Sequence, residues 1–270
     1  MATVTASAHA RSWQHSFRAV WAAALTGLFG LLFTGLTVLT VTLWATDPTY
    51  TQTNPVVDLA FFALGIVIAA GFASQTRIPT IAGLQQATIA LATLAAAGWL
   101  GGRIEPFVGP FVLLLAATPL AVFHPDRRQL VAAGAGVSRA LAALAAVAAA
   151  PAFVYAADML DRARAAEPSC FLGQCAQGDR YAEAAALAVA VVLVALLASV
   201  RTPGWMLPAW SAGTAAAVLG VASLLFPTQA GALTGAWAVA AVIWGGAVIA
   251  IAHVQHRAAT APARHDEQGR

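Results

Sequence analysis

Residues 183–203 read EAAALAVAVVLVALLASVRTP. The stretch opens on a carboxylate, Glu183, and runs through about 18 apolar residues, one bilayer thickness of helix. It closes with Ala198-Ser199, then Arg201 and Pro203. Residues 58–79, DLAFFALGIVIAAGFASQTRIP, follow the same plan: Asp58, an apolar run, Ala73-Ser74, Arg77 and Pro79. Two such stretches divide the chain into similar halves and predict a polytopic helical membrane protein with an internal duplication.

Composition agrees. Of the 270 residues 60% are hydrophobic and 9% charged, against about 25% charged in ordinary soluble domains. The apolar residues come in runs separated by short polar stretches, the pattern of transmembrane helices. The strand alternation of an outer-membrane barrel is absent. All 14 basic residues are Arg. A retinal Schiff base of the usual kind and lysine-based covalent chemistry are therefore excluded. The preference for Ala and Arg over Lys matches the codon usage of a GC-rich genome.

Eight spans are expected, at about 19–45, 56–74, 78–100, 107–123, 139–157, 182–200, 205–226 and 232–254. Residues 1–18 read as a cytoplasmic tail, not a cleaved signal, because the following run is too long for a signal core. Residues 19–125 form a first four-helix half. Residues 126–254 form the second, with an outer loop at 158–183, and residues 255–270 form a cytoplasmic tail. With both termini in the cytoplasm, Arg11, Arg18, Arg77, Arg127, Arg128, Arg139, Arg201, Arg257, Arg264 and Arg270 lie inside. Arg103, Arg162, Arg164 and Arg180 lie outside. The positive-inside rule favours this orientation at the inner (plasma) membrane over its inverse. Trp13, Trp21, Trp205 and Trp210 then fall near one interface and Trp44, Trp99 and Trp237 near the other, as aromatic belts do. Trp244 falls mid-span and reads as core packing.

The duplication extends further. Phe17–Leu25 resembles Ser138–Ala146, pairing Arg18 with Arg139, and His124 pairs with His253. Each half has an even number of spans, so the copies point the same way, in a parallel 4+4 repeat.

The polar residues give few chemical leads. Arg139 reads as an anchor at a helix start, because its counterpart Arg18 precedes span one. Gln85 and Gln86 are the most polar pair within a span; buried amides in a bilayer serve as interhelical ties or line a polar pocket. Asp58, Asp158, Asp161 and Glu183 fall on the outer side. They read as solvated helix-end carboxylates, or as an entry site for protons or cations. Cys170 and Cys175 share the outer loop, where an oxidising compartment favours a small disulfide loop. His124 and His253 are the only candidate haem ligands, and their helix-end positions beside Arg favour interfacial histidines instead. The threonines of span one, Thr26 and Thr37 among them, can bond their own helix. Gly231–Gly235 and Gly245–Gly246 offer close helix approach. No Walker motif, nucleophile elbow, HExxH, metal-ligand spacing or catalytic set is present, and nothing points to nucleic acid.

Residues 201–227, RTPGWMLPAW followed by AGTAAAVLGVASLLFP, resemble uncharacterised membrane proteins of GC-rich bacteria over about residues 183–250. The resemblance implies a shared fold and no activity. Sparse intramembrane charge and Ala/Gly packing faces favour a non-enzymatic accessory, scaffold or assembly component that meets the lipid bilayer and other membrane subunits. The repeat, the two glutamines and the paired outer carboxylates support an alternative, a transporter or a binder of lipid or small solute with its site between the halves. A haem- or quinone-linked redox protein rests on the two histidines alone, and no cofactor is expected.

Overall fold

The computed structural model describes residues 2–46, 54–130, 136–166 and 177–260. Within them the chain is all-helical. The helices are α1 (Ala2–Thr46), α2 (Pro55–Ala73), α3 (Ile81–Leu100), α4 (Ile104–Val122), α5 (Arg139–Ala165), α6 (Gln177–Ser199), α7 (Met206–Leu225) and α8 (Gly235–Thr260), with a 3-10 turn at Arg127–Gln129. All eight α-helices are long and apolar enough to cross a membrane.

The helix ends follow from local chemistry. Asn54 caps α2, its side chain accepting from the Val56 N–H, and Pro55 opens the helix, where a missing N–H costs nothing. Ser138 caps α5 by accepting from the Leu141 N–H. Arg139 is thus an exposed first residue of a helix, not a charge buried in a span. Arg201 ends α6 in the left-handed region, at φ 54°, a position that Gly or Asn usually takes. Its guanidinium donates to Gln255 Oε1 at 2.6 Å and sits over the Trp205 ring. α1 starts at Ala2, so the described residues 2–18 are helical and continuous with the first span. No Gly or Pro interrupts that stretch, and so nothing in it breaks the helix.

The bundle has a centre and a periphery. The spanning stretches of α2 and α6 are each 72% buried, α3 67% and α7 56%; α1, α4 and α8 reach only 22% and α5 17%. Apart from Asp58 in its first turn, α2 is apolar on every side, as a helix surrounded by others must be. α1 instead buries one stripe, Arg18, Ala22, Leu25, Phe29 and Phe33, while Val20, Leu28 and Leu31 face outward. Such outward apolar faces would be an aggregation hazard in water. In a bilayer they meet acyl chains.

Successive helices pair as hairpins, α1 with α2, α3 with α4, α5 with α6 and α7 with α8. The central helices then pack on one another: α2 meets α3, α6 and α7, and α3 meets α6. α1 touches α4, and α5 touches α8. Trp21 latches the first of these contacts, donating from Nε1 to the Ala116 carbonyl at 2.7 Å. Trp244 latches the second, donating to the Leu144 carbonyl at 2.9 Å.

Backbones meet at the α7–α8 seam. A Cβ added to Gly220 would lie 2.6 Å from the Ala238 carbonyl oxygen, and one added to Gly245 would run into the Gly213 carbonyl. Small residues let these two backbones touch. The expected Gly231–Gly235 motif takes no part in this. Gly231 lies in the preceding turn with φ +86°, and Gly235 opens α8, where an added Cβ would meet nothing within 4 Å. The α8 helix begins too late for the pair to form a helical ridge. Gly213 and Gly220, on the partner helix, provide the close approach instead.

Candidate functional site

The polar residues gather at the two ends of the bundle. One end is where α2, α4 and α6 begin. Asp58, Glu105 and Asp179 stand in their first turns, where helix dipoles favour negative charge. α3 and α5 finish at the same end, and two arginines meet their last carbonyls in a reciprocal arrangement. Arg103, after α3, donates to the Ala163 and Ala166 carbonyls of α5. Arg164 of α5 donates to the Leu100 carbonyl of α3 at 2.9 Å.

Within this polar end Arg180 is the hub. Its guanidinium lies 2.8 Å from Glu183 Oε2 and 3.4 Å from Asp58 Oδ1, and it rests over the Phe61 ring at 3.8 Å. Asp58 and Glu183 are both 8% exposed, so neither carboxylate can rely on water. Burial of this kind is tolerated only with a paired charge. Beside the hub, Asp179 faces Arg103 at 4.0 Å with both side chains buried.

The two carboxylates that open the matched sequence stretches thus come together on one arginine. Asp158 and Asp161 do not join them. Each pairs along its own helix, with Arg162 and Arg164, on the exposed face of α5. Arg180 and Phe61 are partners that sequence reasoning does not single out. One signal does point to Arg180, which precedes Glu183 by one helical turn.

Directly below this network lies a cleft of about 240 Å³ between α1, α2, α3 and α4. Its walls are apolar, with Phe29, Phe33, Leu64 and Leu91 among them, and Glu105 and Glu183 are among the residues that line it. Leu28 and Leu32 also line it and are 56% and 49% exposed, so the cleft opens sideways between α1 and α4. Gly109 on α4 borders the same space with nothing within 4 Å of an added Cβ. Pro106 and Pro110 flank Gly109 on α4. Pro110 sits inside the helix, where it removes a backbone hydrogen bond.

Gln86 is fully buried at the centre. Its Nε2 donates to the Val67 carbonyl of α2 at 2.8 Å and to Ser211 Oγ of α7 at 2.9 Å, and its Oε1 has no partner. Gln85 is half-buried near the other end, donating to the Leu130 carbonyl and accepting from Thr202. The two amides point to different neighbours and do not share a pocket.

At that opposite end His124 is buried and Arg18 is buried beside it. The sequence places Arg18 just ahead of the first span; the buried stripe of α1 carries it inside. His253 is exposed on α8, a helix that shares no packed interface with α4. The two histidines are therefore not brought together. Burial, then the charge of Arg18, holds the His124 imidazole below its ordinary pKa, with Asp126 opposing. Cys170 and Cys175 lie outside the described residues. Among the described residues no group of three His, Cys, Asp or Glu side chains is placed to hold a metal.

Comparison with protein-family models, curated proteins and solved structures finds no match to this chain.

Proposed function

We propose that this is an inner-membrane protein, with both termini cytoplasmic, that holds one apolar chain of an amphiphile in the α1–α4 cleft. The amphiphile's donor-bearing head group sits at Glu105 and beside the Asp58–Arg180–Glu183 network. The single observation carrying this reading is the cleft itself: apolar walls, the exposed Leu28 and Leu32 at its edge, and Glu105 and Glu183 as its only acidic lining residues. Its volume lies below the roughly 300–1,000 Å³ of a drug-sized ligand pocket, which suits part of one alkyl or isoprenoid chain. Carboxylates select hydroxyl or amino donors over anionic head groups. The bias of Arg toward one set of loops supports the orientation.

The reading includes a parallel 4+4 repeat. Its support is the packing pattern: replacing each of α1–α4 by the helix four places later reproduces the principal contacts. The matched carboxylates meet where α2 crosses α6. The matched turns also touch, the Ala82 N–H donating to the Pro203 carbonyl at 3.2 Å.

Gly109→Leu tests the cleft. Leu raises helix propensity in α4 and fills open space, so the variant should fold at least as well as wild type. Native mass spectrometry of gently solubilised wild type should show a retained amphiphile, and the variant should lose most of it. An empty wild type, or equal retention by both, overturns the proposal in favour of an accessory component that acts through its outer faces.

A further inference from the structure

The other end of the bundle holds an arrangement that the cleft does not use. The Asp126 backbone N–H donates to His124 Nδ1 at 3.0 Å. That nitrogen is then the acceptor, and the neutral ring carries its hydrogen on Nε2. Nε2 is buried and has no partner. Arg18 Nη1 is also buried and also has no partner. Arg18 and His124 are each only 2% exposed. Phe17 and Phe123, their chain neighbours, pack edge to face at 5.8 Å, so the two segments are in contact.

Two buried donors with no acceptor are costly, and one of them carries a full charge. An acceptor-only, anionic group is the ligand chemistry that suits both donors. Trp13, Phe17 and Trp21 stack in succession along α1, as side chains at the headgroup layer do. Arg127 and Arg128, exposed in the turn that follows, add positive field at the approach. We propose that Arg18 and His124 form a binding site for a phosphate group at the membrane interface, supplied by a phospholipid head group. Free phosphate has the same chemistry, so the test separates the two sources. The proposal stands apart from the cleft and survives its failure.

The experiment uses full-length protein, delipidated in maltoside micelles and titrated with phosphatidylglycerol or, separately, with inorganic phosphate. The readout is the protonation midpoint of the His124 imidazole by NMR, assigned by its loss in H124Q. The groups acting on that ring are Arg18 of α1 and Asp126 of its own segment. Phosphatidylglycerol should raise the midpoint, because an anion against Nε2 favours the doubly protonated ring. R18Q should weaken lipid binding roughly tenfold or more, since a charge-assisted hydrogen bond is lost, and R18K should restore part of it. The delipidated R18Q protein should be no less stable than wild type, because the substitution removes an uncompensated buried charge; a purely structural role for Arg18 predicts the reverse. If R18Q fails to fold, H124Q carries the test instead: it should retain less phospholipid phosphorus per chain than wild type, and equal retention overturns the proposal. A response to inorganic phosphate alone overturns the phospholipid source and assigns the site to a soluble phosphate. No response to either ligand overturns the proposal altogether.

Discussion

Arg180 shows what one side chain can decide. It is flanked by two carboxylates from different helices and lies on an aromatic ring. Replacing it by Met keeps much of the stem's packing and leaves Asp58 and Glu183 without their counter-charge. Removing one partner of a buried ion pair costs about 3–5 kcal/mol. Arg180 retains some solvent contact, with its side chain 27% exposed, so R180M should cost roughly 2–4 kcal/mol, toward the lower part of that range. Equilibrium unfolding in mixed micelles measures this. A loss below about 0.5 kcal/mol, the scale of a surface pair, would mean that water solvates both acids. At this scale the sequence is only half legible. The likeness of Asp58 and Glu183 marks them as a pair, but their shared guanidinium depends on how α2 meets α6. Arg18 escapes a sequence reading for a related reason. A terminal Arg ordinarily snorkels to water, and its place on the Ala22–Leu25–Phe29 stripe shows only once that face is known to be buried.

Among the elements, α7 and α8 depend on glycine. Gly245 packs against the Gly213 backbone with no room for a side chain. Gly245→Val should force the two helices apart and cost roughly 1–3 kcal/mol or more, the range for overpacking a close-packed core. Gly246→Val, one residue on and with open space around it, should cost far less despite the same chemical change. Thermal unfolding of the two variants side by side checks this, and equal losses would show that the two helices are not in backbone contact. All eight helices are readable as apolar runs, because a bilayer demands continuous helix of one length. Their faces are not. An Ala-rich helix carries little periodic contrast, so which of its glycines meets a neighbour is settled by the partner.

For the whole molecule, the interface between residues 19–125 and 126–254 is central, formed by α2 and α3 against α6 and α7. These are the most enclosed helices among those described. Each half alone would expose the matched acids, and Gln86 would lose Ser211 as its partner across the middle. Co-expressed as two polypeptides split in the segment 131–135, the halves should assemble and co-purify. Either expressed alone should be degraded or aggregate. A half that is stable alone would show that it is an independent bundle.

The exchange of arginines between α3 and α5 has a mechanical consequence. Arg103 grips the end of α5 while Arg164 grips the end of α3, so each half holds the other by a hand. Two such grips resist sliding in both directions, whereas one would act as a pivot. The halves are braced at this face by a reciprocal pair, whereas at the far end, where the Pro79 and Pro203 turns meet, a single backbone hydrogen bond from Ala82 to Pro203 joins the two turns.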